Sequence, residues 1–475
     1  MNRLLGVSEH IRWLLDQRWS FNFALTARVR GTIAIPQLTN ALAWVQRRHP
    51  LLAVKIAVNE HQQPRFVSEG VPPIPLRVVQ RQGDHHWCQE TEAELSLPFS
   101  YSTEPLLRVV FLQGEAVSEL IFTCYHSICD GLSTIYLIRD ILQEISTPGS
   151  TREILPELPC WEELIPLSKK DSISGNAIAT AAPTHKINPS NAGVDLNRVS
   201  DRKQIKKSQG SRILHWSLST EETVTNAGID LNRVSDKKQI KKSQGSSILH
   251  WCLSPEETAT FVSRCRENQT SVQGALCTAF LLSIGEQMNY PEDTVHKCLS
   301  PCNIRKYLVP EIGEDFGLYI CGLLTAHTLK PEINFWDLAR EIKHQLNEWT
   351  AGKLFEDIPR TKAFLSTKPD PQMVYDQMDN NIKLVVTNLG RLNIPQNYGS
   401  LFLEAIYGPT VQSSENAKTV GVITLGDRMF LTLTFSESVL PRSLAKKIQI
   451  GAMRQLSEAL ETPSQAFDRA GLGIA

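Results

Sequence analysis

Glu119-Leu-Ile-Phe-Thr-Cys-Tyr125-His126-Ser-Ile-Cys129-Asp130-Gly131-Leu-Ser133 is the stretch on which the reading of this chain turns. Its first seven residues are rich in β-branched and aromatic side chains and read as a buried strand. Beyond Gly131, Ile135, Ile138, Ile141, Leu142 and Ile145 fall at helical spacing, so residues 133–145 read as an amphipathic helix. His126 is thus held where a strand gives way to a helix, on a tight turn for which Gly131 is expected to supply backbone freedom. A neutral imidazole fixed there can take a proton from a hydroxyl or an amine near pH 7. A lone histidine at a strand end is more often structural than a base, so the rest of the chain has to decide.

At 475 residues the chain is too long for one ordinary core, and two domains with connections are expected. Hydrophobic content of 41% and charged content of 21% belong to a globular protein. A formal net charge of −1 gives no broad attraction to nucleic acid or an anionic membrane. No apolar run reaches the length of a membrane span, and Met1-Asn-Arg-Leu-Leu-Gly6 lacks the apolar region of a signal peptide, so a cytoplasmic location is expected. Ten cysteines stand at irregular spacing with no Cys-x-x-Cys, the pattern of buried thiols in a reducing compartment. No metal site is expected.

The first part of the chain alternates strand and helix signals. Residues 20–29, 51–58 and 106–112 read as strands, residues 35–48 and 84–95 as helices, the first of these opened by Pro36 and ended before Pro50. From about residue 147 to 246 the texture turns to Ser, Pro, Asn and Lys. Inside this stretch residues 191–225 recur as residues 226–260, 35 positions with six differences. Two copies are too few for a solenoid. Each ends in Ile-Leu-His-Trp and a capping box, but only the second, Ser254-Pro255-Glu256-Glu257, runs on into a full helix. The second copy is therefore read as structural and the first as an insertion in a surface linker. The paired histidines His215 and His250 are an echo of the duplication. The second half resumes with helices at 271–283, 334–350 and 440–460 and strands at 297–301, 318–325, 382–387, 401–407, 419–425 and 429–435.

In this order the motifs resemble those of the condensation-domain-like acyltransferases of polyketide-associated and alcohol acyltransferase type. Four features carry the resemblance. They are Arg48-His49-Pro50-Leu51-Leu52, the His-x-x-x-Asp-Gly turn at His126, Pro301-Cys-Asn-Ile-Arg305 with the later Glu314-Asp-Phe-Gly317, and Thr387-Asn388-Leu389-Gly390 with the strand at 419–425. The likeness covers nearly the whole chain outside the duplicated linker. A similar turn near the C-terminus marks chloramphenicol acetyltransferase and the dihydrolipoyl acyltransferases, so the early position of His126 argues against those two.

The resemblance implies an α/β fold of two chloramphenicol-acetyltransferase-like halves, each a mixed sheet with flanking helices, forming a V with a central tunnel. The halves would be residues 1–160 and 247–475, joined by a linker at 161–246. His126 corresponds to the family's catalytic histidine, the second of a His-His pair whose first member is Tyr125 here; His85-His86 is a decoy, since no Asp-Gly follows. The resemblance gives Asp130 a structural role, paired with an arginine, Arg305 first and Arg28 second. Gly131 serves the turn. Tyr125, Asn303, Asn388 and Gly390 would line the tunnel, although Asn388 and Gly390 equally suit a plain strand-end turn. The implied activity is transfer of an acyl group from acyl-CoA or an acyl carrier protein to a hydroxyl or amine, with His126 as general base. The setting would be secondary lipid, polyketide or peptide metabolism. The thioester would be a co-substrate with no bound cofactor, the acceptor a small molecule or lipid, and the protein monomeric. The alternative is a non-catalytic relative that binds carrier proteins.

Overall fold

The computed structural model describes residues 1–18, 20–150, 153–166, 213–214, 245–288, 290, 294–330, 332–377, 382–411 and 418–461. The chain opens with β1 (Asn2–Leu4), α1 (Val7–Asp16), β2 (Asn22–Arg30), α2 (Ile35–Arg48), β3 (Lys55–Val58), β4 (Pro64–Val67) and β5 (Leu76–Gln80). Then come α3 (His86–Ser96), β6 (Leu107–Gln113), β7 (Val117–Tyr125) and α4 (Gly131–Ser146). The second part holds β8 (Ile213–Leu214), β9 (Ser246–Leu253), α5 (Pro255–Glu267), α6 (Val272–Met288), β10 (Val295–Asn303), β11 (Ile320–Thr328) and α7 (Phe335–Glu348). It ends with α8 (Ile358–Ser366), α9 (Pro371–Asp376), β12 (Ile382–Arg391), β13 (Asn397–Tyr398), β14 (Leu401–Val411), β15 (Lys418–Leu425), β16 (Arg428–Ser436) and α10 (Arg442–Glu461).

Two mixed sheets organise most of these elements, beside a three-stranded antiparallel sheet of order β1-β4-β3. A six-stranded sheet has the order β13-β14-β2-β7-β6-β5, and a seven-stranded sheet has the order β8-β11-β10-β12-β15-β16-β9. Each carries its own apolar cluster. Phe23, Leu25, Ile121, Phe122 and Ile138 belong to the first; Phe280, Leu384, Val420 and Leu431 belong to the second. β7 is central in its sheet and buried on both faces, which is why it reads as a near-continuous apolar run. The predicted stripe of α4, Ile135, Ile138, Ile141, Leu142 and Ile145, is buried throughout. At the start of α5 the Glu257 amide donates to Ser254 Oγ at 3.1 Å and the Ser254 amide to Glu257 Oε2 at 2.7 Å, the reciprocal cap expected of the second copy.

The C-terminal segment reaches into the first sheet. β14 pairs antiparallel with β2, from Phe402 opposite Arg30 to Val411 opposite Phe23. The register slips between Tyr407 and Thr410, where Gly408 sits at φ +121°. A Cβ there would lie 2.9 Å from the Ala24 carbonyl oxygen, so both the dihedral and the close approach call for glycine.

Several local expectations are revised. Residues 51–58 are not one strand: Pro50–Ala53 makes a 3₁₀ turn before β3, because Pro50 has no N–H for a sheet and its fixed φ suits a helical first turn. Residues 161–165, assigned to the linker by texture, pack into the second core, with Trp161 5.7 Å from Phe355. Helix α1 and strands β1, β4 and β5 had no sequence counterpart. The duplicated Ile-Leu occupies both edges of the seven-stranded sheet. Ile248-Leu249 lies in β9 against β16, and Ile213-Leu214 forms β8 against Gly322 and Leu323 of β11. Most of the first copy lies outside the described residues.

Deleting residues 191–225 removes only β8 from the described elements, since the second copy retains β9 and the cap of α5. Scanning calorimetry is expected to place the deletion protein within about 4 °C of the parent, the effect of roughly 1 kcal/mol in a mid-sized domain. A fall of about 10 °C or more would show that the first copy carries packing well beyond two paired residues.

Candidate active site

His126 leaves the end of β7 and is 9% exposed. Its Nδ1 lies 3.0 Å from the Cys129 carbonyl oxygen. A carbonyl only accepts, so Nδ1 donates, and Nε2 carries the lone pair. Phe21 stacks on the ring at 5.4 Å and Phe23 tilts against it at 4.7 Å. Burial first, and the charge of Arg12 second, lower the imidazole pKa to about 3, against the opposing pull of the Cys129 hydrogen bond and Asp130. The site thus holds a neutral, tautomerically fixed imidazole in apolar walls.

Four residues on, Asp130 is buried at the head of α4 and caps it by accepting from the Ser133 amide at 2.8 Å. Arg305, just beyond β10, forks onto the same carboxylate, Nη1 to Oδ2 at 2.9 Å and Nη2 to Oδ1 at 3.1 Å, and the Tyr319 amide adds a bond of 2.9 Å. Burial alone would raise the Asp130 pKa. The Arg305 charge and these hydrogen bonds reverse that and hold the carboxyl below its usual range. The expected Asp130–Arg305 pair is therefore present, while Arg28 turns to Glu119 at 3.0 Å. Ser133, which no sequence argument singled out, completes the knot. Its hydroxyl accepts from Arg305 Nη2 at 2.7 Å and from the Gly317 amide at 3.0 Å, and donates to the Gly317 carbonyl at 2.7 Å.

A second junction lies farther along α4. Asp140 accepts from Arg48 Nε at 2.9 Å and lies 3.1 Å from His49 Nε2, while Arg139 reaches both Asp140 and Glu314. Burial would raise the Asp140 pKa, but the His49 hydrogen bond and Arg139 bring it down to about 2. Arg48-His49 and Glu314–Gly317, far apart in sequence, thus meet on one helix.

The remaining expected residues divide. Gly131, expected to serve the turn, is the first residue of α4 and is not among the glycines at positive φ. Its requirement is space: a Cβ would sit 3.1 Å from Leu389 Cδ1 and from Pro409 Cγ. Tyr125 is buried against Phe99 and Tyr101 with Asp16 facing its hydroxyl, and so belongs to the core. The strand alternation that brings His126 to one side turns Tyr125 to the other. Asn303, Arg305 and Asn388 line a cleft of about 730 Å³ with Leu132 and Tyr136 of α4, Gln273 and Ser300. His126, Tyr125 and Gly390 are not among its lining residues. Asn388 also accepts from the Gly390 amide at 2.9 Å, with Gly390 at φ +72°, so the strand-end turn and the cleft wall are the same feature. Of the histidine echo, His250 packs at 3.2 Å from His85, and His215 lies outside the described residues. Among the described residues no group of three or more His, Cys, Asp or Glu side chains could hold a metal ion. None of the described helices is long and apolar enough to cross a membrane.

Comparison with known proteins agrees with this architecture. Residues 246–429 match the family described as phthiocerol/phthiodiolone dimycocerosyl transferase C-terminus. Cyclosporin synthetase of Tolypocladium inflatum is 31% identical over 145 residues, covering 28% of this chain and 1% of that protein. Phosphinothricin tripeptide synthetase of Streptomyces viridochromogenes is 25% identical over 169 residues, covering 33% of this chain and 15% of its own. This chain therefore corresponds to a small part of each. Among solved structures, polyketide synthase associated protein 5 from Mycobacterium tuberculosis matches with a TM-score of 0.59 and 14% identity, over 96% of this chain and 98% of that one. The trichothecene 15-O-acetyltransferase of Fusarium sporotrichioides matches with a TM-score of 0.65 and 12% identity, over 96% and 94%. The condensation domain of a monacolin K polyketide synthase matches with 0.63 and 13%, over 98% of each chain. At these identities the likeness is one of fold.

Two substitutions test the knot. Asp130→Asn leaves Arg305 buried without its counter-charge and is expected to cost about 3–5 kcal/mol at pH 7. Because the folded carboxyl titrates below its unfolded value of about 3.9, the stabilisation is present above that pH and is lost as pH falls through the folded pKa. Urea titrations of the two proteins should therefore converge below about pH 4. Ser133→Ala strips the hydroxyl from Arg305 and Gly317 and is expected to cost about 1–3 kcal/mol. An unchanged urea midpoint would mean that Asp130 alone holds the turn.

Proposed function

We propose that the chain is a condensation-domain-like acyltransferase, which transfers an acyl group from a thioester to a hydroxyl or amine with His126 as general base. The single observation that carries this reading is the Nδ1 hydrogen bond of His126 to the Cys129 carbonyl. It leaves Nε2 with a lone pair on an imidazole that burial keeps neutral. The acceptor gives its proton to Nε2 as it attacks the thioester carbonyl, and the departing thiolate takes the proton back. The donor is an acyl-CoA or an acyl carrier protein, and no bound cofactor or metal enters the reaction. Asp130 and Arg305 hold the turn and take no part in proton transfer. The cleft beside Tyr136, Asn303 and Asn388 is the proposed entry for one substrate. The acceptor is a small-molecule or lipid alcohol or amine of secondary metabolism, and the protein acts as a cytoplasmic monomer.

His126→Ala is expected to lower kcat by about 10²- to 10⁴-fold in assays with a labelled acyl thioester and a panel of alcohols and amines. Circular dichroism should be unchanged. A folded variant that transfers at the parental rate would instead favour the carrier-binding reading.

The depressed His126 pKa adds a second expectation. A general base is active above its pKa, so kcat/KM in the free protein should stay level from pH 8 down to roughly pH 5, with no acid limb near 6.5. A limb at that value would show an ordinary, solvated imidazole doing the work.

A further inference from the structure

Acyl transfer needs a group that stabilises the carbonyl oxygen as it becomes an anion. Several backbone donors of the His126 turn are engaged elsewhere: the Ile128 amide bonds to Tyr125 O at 3.1 Å, the Asp130 amide to Gly317 O at 3.1 Å and the Thr134 amide to Asp130 O at 3.2 Å. The Ser133 amide is taken by the Asp130 carboxylate. A cationic side chain packed against the turn can answer the developing negative charge. Helix α1 packs against this turn, because Ser127, next to His126, donates its hydroxyl to the Glu9 carbonyl at 3.0 Å. One helical turn farther along α1, Arg12 is 6% exposed and donates from Nη1 to the Ser8 carbonyl at 3.1 Å.

We propose that Arg12 is the cation that stabilises the oxyanion formed when His126 accepts the acceptor's proton. The inference rests on the acyl-transfer reading above. In the first step the acceptor's O–H or N–H bond breaks, its proton goes to His126 Nε2, and its electron pair forms the new bond to the thioester carbonyl carbon. The carbonyl π pair moves onto oxygen, beside the guanidinium. In the second step that pair re-forms the C=O bond, the C–S bond breaks, and the thiolate takes the proton from the imidazolium. Charge is conserved throughout and no further reactant is needed.

The electrostatics around Arg12 fit the task. Burial brings its pKa down to about 10, opposed by the nearby Cys321, Glu162, Asp130 and Glu9, so the group stays charged at neutral pH. Its charge is also the second cause, after burial, of the low His126 pKa. A cation beside the imidazole penalises an imidazolium standing alone. It favours the imidazolium–oxyanion pair, which exists only in the reacting complex. The Phe21 and Phe23 rings exclude water from the imidazole faces, which strengthens both effects.

The test compares Arg12→Gln, Arg12→Lys and His126→Ala. Folded Arg12→Gln is expected to lower kcat by about 10²- to 10³-fold with KM little changed, and to raise the pH of the acid limb of kcat/KM. Arg12→Lys keeps a cation and should hold the limb near its parental position. A group that serves only packing would shift the melting temperature and leave the limb in place. Independently of folding in the variants, the wild-type protein should bind a phosphonate analogue of the acyl thioester at least about tenfold more tightly than the neutral ketone analogue. Equal binding of the two analogues overturns the inference, as does a folded Arg12→Gln with parental kcat. If His126→Ala also keeps full activity, the acyl-transfer reading itself falls; if only His126→Ala is inactive, Arg12 alone loses its role.

Discussion

The buried carboxylate of Asp130 is the point from which the rest of the site is held. It caps α4, receives the fork of Arg305 and accepts the Tyr319 amide, so helix, strand end and loop share one charge. A bare carboxylate in that position would be costly, and each partner offsets part of the desolvation. The outcome is geometric more than energetic. With α4 pinned at its first turn, the short segment from Tyr125 to Gly131 has little freedom, and the imidazole orientation follows from the hydrogen bond to Cys129.

The same helix carries a second anchor. Asp140 gathers Arg48, His49 and Arg139, and Arg139 extends to Glu314 on the loop that supplies Gly317. Motifs that look independent along the chain are therefore two ends of one assembly. The RHP segment fixes the far part of α4, the acidic loop bridges both anchors, and the site sits at the near end. Gly131 fits this picture, since Leu389 and Pro409 from the C-terminal part press on the helix start at 3.1 Å.

Much of this was legible in the sequence because it is local or carried by motif order. The strand-turn-helix around His126, the cap at Ser254 and the run of helix α2 follow from periodicity and capping residues. Arg305 as the partner of Asp130 came from the resemblance. Ser133 did not stand out: a serine in a first helical turn is commonplace, and its partners Arg305 and Gly317 join it only in space. Arg12 was hidden because α1 was not recognised, although Ile11, Leu14 and Leu15 stand at helical spacing behind Glu9. Tyr125 was placed on the tunnel wall because it precedes His126, where strand alternation sends it into the core. Residues 161–165 were lost to composition, since a polar, proline-rich neighbourhood masked one Trp-Leu-Ile anchor.

The pairing of β14 with β2 has a consequence for the order in which the chain comes into being. Thr410 donates to Ala24 across 386 positions of sequence. While a ribosome is still making the protein, β2 stands as an open sheet edge until residue 411 has emerged, and open edges invite pairing with other chains. The N-terminal sheet is therefore complete only once residue 411 has been made. A break in the linker would yield no self-sufficient N-terminal piece, because a piece ending there lacks the strand that closes it. In this protein the half that carries the histidine is finished by the half that does not.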